Sequence, residues 1–159
     1  LGSSFDEPAI QERFFFNKVG LGTVRADPMN ALFGIGVGNF VHNFKQVELG
    51  LPEHLYQPVH NIFILIASEA GTFGFFAFVL FIALLIEKMV KLQFPVVSYA
   101  HDREYTAWNF LAGCALIFLL LVAMYDHYFW TLQQGGLMFW ITLGLIASKI
   151  KLQRAVRRS

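Results

Sequence analysis

The chain of 159 residues is 56% hydrophobic and only 14% charged, with a mean hydropathy of +0.53. That balance argues against an ordinary soluble domain, in which about a quarter of the residues are charged. A net charge of +1 gives no basis for a polyanionic partner, so no nucleic acid is expected.

The chain opens on Leu1 and a polar stretch without a signal peptide, and it is expected to be the C-terminal part of a longer membrane protein. Ser4 and Glu7 stand in capping-box spacing with Pro8 beside them, which predicts a helix running to about Arg25. Ile10, Phe14 and Leu21 would share one side of it. Phe14-Phe15-Phe16 suit a helix lying on a bilayer surface or against other spans. Gly20 and Gly22 each weaken a helix by about 1 kcal/mol relative to alanine, and Asp27-Pro28 favours termination.

Glycine then occupies every second position at Gly34, Gly36 and Gly38. Such a run can cradle phosphate at a helix start, or form a tight turn packed against helices. With no preceding strand and no Lys-Ser/Thr pair, the nucleotide-binding fingerprints fail and the packed turn is favoured. A short helix is expected over 39–48, followed by a loop over 50–58.

His60-Asn61 stands at the mouth of an apolar run. Three spans follow, at about 61–86, 106–125 and 128–148, because roughly 20 apolar residues cross a hydrocarbon core. Lys88, Lys91 and Arg103 lie between the first two, and the tail 149–159 is basic, whereas the Asp126-His127 turn holds no Lys or Arg. The positive-inside rule therefore puts the tail in the cytoplasm and residues 1–60 outside. Cys114 lacks a partner for an intrachain disulfide and reads as a small apolar filler.

Several side chains could carry chemistry. His42, His54, His60 and His127 share the outer side, with His101 inside. No pair has the spacing of a helical zinc motif and no outer cysteine is available, so no metal is expected. His60 is anchored where a span begins, whereas His42 sits in a polar segment. A carboxylate at Glu69, inside a span, is costly unless bonded, and on a continuous helix it faces away from His60. It is expected to bond a neighbouring helix or backbone. Arg13 and Arg25 are either solvated or grip a phosphate with their planar forks. Asp126-His127-Tyr128 and Gln133-Gln134 fit an aromatic belt and helix-to-helix bonding.

The Glu12-Arg13 helix, the Phe33-Gly34-Ile35-Gly36-Val37-Gly38-Asn39-Phe40 run, and His60-Asn61 with Leu65, Glu69-Ala70-Gly71 and Gly74 entering a span together resemble the O-antigen ligase and polymerase family of bacterial membrane glycosyltransferases. The likeness covers about residues 10–80 closely and the later spans in general plan. It implies an all-α integral membrane fold, with the last three transmembrane helices of a polytopic bundle preceded by a long helical extracytoplasmic loop. It further implies polysaccharide or lipopolysaccharide biosynthesis in the bacterial inner membrane. A glycan would pass from undecaprenyl diphosphate to an acceptor hydroxyl on a glycan, on lipid A–core or on protein, without cofactor or metal. By this resemblance His60 is the catalytic base or orienting group. Arg13, with Arg25 and Asn61, binds substrate, and Gly34, Gly36, Gly38 and Glu69 support the site. An arginine expected in an earlier loop is missing, so this chain alone should be inactive. The alternative is a non-catalytic transporter or flippase component that recognises the same lipid-linked glycan.

Overall fold

The computed structural model describes residues 7–47, 50–93 and 102–156, and every regular element among them is helical. In chain order these are α1 (Glu7–Ala26), α2 (Pro28–Phe33), α3 (Phe40–Val47), a 3₁₀ turn (Glu53–Leu55), α4 (Ile62–Gln93), α5 (Asp102–Tyr125), α6 (Tyr128–Thr131) and α7 (Gln133–Val156). The Ser4 cap and His101 lie outside the described residues.

Asp27 both ends α1 and starts α2. Its carboxylate accepts from the Met29 and Asn30 amides at 3.1 and 3.2 Å, and Pro28 sits in the first turn, where its missing N–H costs nothing. The apolar side of α1 that carries Ile10, Phe14 and Leu21 is not the side packed against α4. Ile10, Phe14 and Leu21 are exposed, while Phe16 is fully buried. Gly20 decides this, because a Cβ there would stand 2.7 Å from Val59 and 2.9 Å from Ile64. One turn after Phe16, it lets α1 lie directly on the start of α4, where the Ser68 hydroxyl donates to the Gly20 carbonyl at 2.9 Å. Phe16, Phe40, Phe44, Val59 and Leu65 close this small core, in which Phe→Ala typically costs about 3–5 kcal/mol.

A larger core joins α4, α5, α6 and α7. Phe78, Ile82, Leu85 and Met89 recur three or four positions apart on α4, as do Phe139, Leu143 and Ile146 on α7, and both stripes meet Leu116, Leu119 and Ala123 of α5. The opposite faces are apolar too: Phe76, Leu80 and Leu84 of α4, Ile117, Phe118 and Leu121 of α5, and Leu137, Ile141 and Leu145 of α7 are exposed. Among the described residues one helical stretch, Ile62–Lys91, is long and apolar enough to cross a membrane, and Phe110–Tyr125 of α5 is a shorter apolar stretch.

Two breaks depart from the expected uninterrupted helices. α4 is kinked at Gly71, whose φ of 67° and ψ of −173° are not helical. The stretch expected as one span from 128 to 148 is divided at Leu132, which is extended, so that α6 is a single turn and α7 continues to Val156.

Candidate functional site

The kink in α4 explains the glycine run. A break frees carbonyls that would otherwise bond within the helix. Those of Ser68 and Glu69 accept from the Ile35 and Gly36 amides at 3.0 and 2.9 Å. Thr72 adds a hydroxyl bond to the Ala31 carbonyl at 2.6 Å. Gly34 has φ of 74°, and a Cβ on it would collide with the Glu69 carbonyl; one on Gly71 would collide with Leu32. The loop is thus stitched to α4, with its Ile35 and Gly36 amides already engaged rather than free to cradle phosphate.

Glu69 is 2% exposed, and both its carboxylate oxygens have partners. One accepts from the Phe40 amide at 3.2 Å and the other from Trp130 Nε1 at 2.8 Å. These bonds tie α3, α4 and α6 together just beneath His60.

His60 lies in the loop before α4, half-buried, with the edge of its ring against Phe16 at 5.8 Å. Asn61 caps the helix, its side-chain oxygen accepting from the Phe63 and Ile64 amides at 3.0 and 3.2 Å. That oxygen is engaged in the cap, which leaves the amide NH2 of Asn61 as the group with which it could bind substrate. Arg13, one turn before Asn17 on the same face of α1, reaches the Tyr125 carbonyl at 3.4 Å. Ile10, Arg13, Phe14, Asn17, His60, Met124 and Tyr125 line one cavity of about 500 Å³. The Asn17 side-chain oxygen is buried there without a hydrogen-bond partner among the described residues.

Arg25 does not reach this cavity. It is exposed in the last turn of α1, twelve residues and about 18 Å of helix rise beyond Arg13. The structure brings Arg13 to the cavity of His60 and leaves Arg25 apart from both. His42 is exposed on α3 beside Gln46, and His54 is exposed in the 3₁₀ turn.

The histidine that does join His60 is His127, which sequence reading assigned to an aromatic belt. The two ring centroids are 5.2 Å apart. His127 is 8% exposed, and its Nδ1 lies 2.6 Å from Thr131 Oγ1. The Thr131 hydroxyl also lies 3.2 Å from the His127 carbonyl; with its proton given there, Oγ1 accepts from Nδ1–H and Nε2 keeps a free lone pair. Burial pushes the His127 imidazole below its ordinary value; Asp126 opposes this, and His60 adds to it. Asp126 accepts the His127 amide at 2.7 Å and stands 4.0 Å from Nε2. His60, Asp126 and His127 thereby place one ligand-type atom each within 4.8 Å of one another. The set is assembled across the fold, not within one helix, which is why no zinc-motif spacing is visible among the outer histidines. The only sequence signal was that all three residues shared the outer side.

No family model matches this chain, and comparison with curated proteins and with solved structures found no match.

Proposed function

We propose that this chain is the extracytoplasmic loop and last three membrane spans of a lipid-linked-glycan transferase resembling the O-antigen ligase and polymerase family. The observation that carries the reading is the cavity shared by Arg13 and His60, the two residues that the resemblance assigns to diphosphate and acceptor. The apolar outer faces of α4, α5 and α7 support a membrane setting, since lipid and further helices would cover them. In this reading residues 1–60 and the Asp126 turn are outside, and the basic tail is in the bacterial cytoplasm.

The chemistry follows from those two side chains. An acceptor hydroxyl gives its proton to a His60 ring nitrogen while its oxygen bonds to the anomeric carbon. The bond from that carbon to the diphosphate breaks, and undecaprenyl diphosphate leaves. Arg13 meets the developing negative charge with its planar fork. No metal takes part in this step.

Transfer of glycan from lipid carrier to acceptor, measured with the full-length protein at matched membrane levels, tests the reading. His60→Ala is expected to lose roughly 10²-fold or more, the scale of a positioned acid–base group, and His42→Ala to stay active. Full activity of His60→Ala would remove the catalytic assignment. If the protein only moves the lipid, His60→Gln would keep transport and no variant would transfer glycan.

A further inference from the structure

His60, Asp126 and His127 turn three electron-pair donors toward one point. Thr131 Oγ1 lies 2.6 Å from His127 Nδ1, and where it accepts from Nδ1–H it leaves Nε2 as an acceptor facing Asp126 and His60. Asp126 Oδ1 is 4.0 Å from that nitrogen, too far for a hydrogen bond, and is an acceptor itself. Among the described residues neither His60 ring nitrogen has a hydrogen-bond partner, although its ring lies tilted against that of His127 with centroids 5.2 Å apart. Facing lone pairs repel, and a cation between them reverses the sign of the interaction.

The donor set selects the cation. Two imidazoles and one carboxylate suit zinc, whereas magnesium and calcium favour all-oxygen sites. Tetrahedral bonds of about 2.0–2.1 Å would bring the donors to roughly 3.3 Å from one another. Closing from the present limit of 4.8 Å requires the His60 ring to turn and the Asp126 oxygen to move in from 4.0 Å of His127 Nε2. Thr131 already plays the outer part that orients a ligating histidine through its second nitrogen.

We propose that His60, Asp126 and His127 bind a zinc ion, with the fourth position open where His60 borders the Arg13 cavity, and that zinc bound there inhibits glycan transfer. The inhibitory half rests on the transferase reading, because zinc occupies the lone pair that would take the acceptor proton. The binding half does not depend on it.

The test uses full-length protein in detergent. Equilibrium dialysis at micromolar free zinc should find one ion bound per chain, unaffected by excess magnesium. Cobalt in its place should give the visible absorption bands of a four-coordinate site. Asp126→Asn keeps the oxygen that accepts the His127 amide and so preserves the turn, yet it and His127→Ala should each weaken zinc binding at least tenfold. Thr131→Val should weaken it by roughly tenfold to hundredfold. No bound zinc, or equal binding by wild type and His127→Ala, would overturn the site. In the transfer assay, zinc should abolish activity and a chelator should restore it; unimpaired transfer by zinc-loaded protein, or activity that requires zinc, would overturn the inhibition. Zinc bound as described by a protein that transfers no glycan would sink the transferase reading and the inhibition while leaving the site standing.

Discussion

Trp130 donates its indole N–H to the buried Glu69 carboxylate at 2.8 Å, and through that bond the turn after α5 is locked onto α4. Its other oxygen takes the Phe40 amide, so one side chain joins three elements around His60. A carboxyl group buried this far needs a partner for each oxygen, and both have one.

Glu69→Ala leaves the buried Phe40 amide unpartnered, at about 1–3 kcal/mol, and the half-buried Trp130 indole N–H unpartnered at a smaller cost. A clear fall in the thermal midpoint of the detergent-solubilised protein is expected. Glu69→Gln keeps one acceptor oxygen but turns its amide group toward the second donor, so an intermediate loss is expected. An unchanged midpoint in Glu69→Ala would show that this carboxylate does not hold the elements together.

The glycines separate into two groups. Gly34→Ala and Gly71→Ala combine positive φ with a backbone collision and should sharply reduce folded protein in membranes. Gly22 has open space within 4 Å, and Gly22→Ala should be neutral or stabilise α1 by up to about 1 kcal/mol. Expression and protease resistance of the three variants, compared side by side, read the difference. Equal behaviour would count against the docking of the glycine loop on the α4 break.

Arg13→Lys keeps the charge but loses the planar fork and should lower transfer strongly. Arg25→Lys, remote from the cavity, should remain close to wild type. Near-normal turnover of both variants with lipid-linked donor would remove Arg13 from the diphosphate.

Topology is open to cysteine labelling of intact cells on a Cys114→Ala background. His54→Cys is expected to react with an impermeant thiol reagent and Lys91→Cys only after the membrane is opened. The reverse pattern would invert the orientation drawn from the basic residues.

The helical class was legible in the sequence because it depends on local terms. Long apolar runs without strand alternation, the Asp27-Pro28 stop, and apolar residues recurring every three or four positions act within a turn or two of the chain. The placement of His60 beside the start of α4 belongs to the same order. Other features were settled only in three dimensions. Gly20, read locally as a weakness in α1, is the contact that selects its buried face. The glycine loop finds its carbonyl partners only because α4 breaks at Gly71. Arg25 is carried away from Arg13 by the length of a straight helix. Asp126 and His127 reach His60 because α5 returns the chain to the end of α4 where His60 lies, a meeting between distant residues that no periodicity or local spacing encodes.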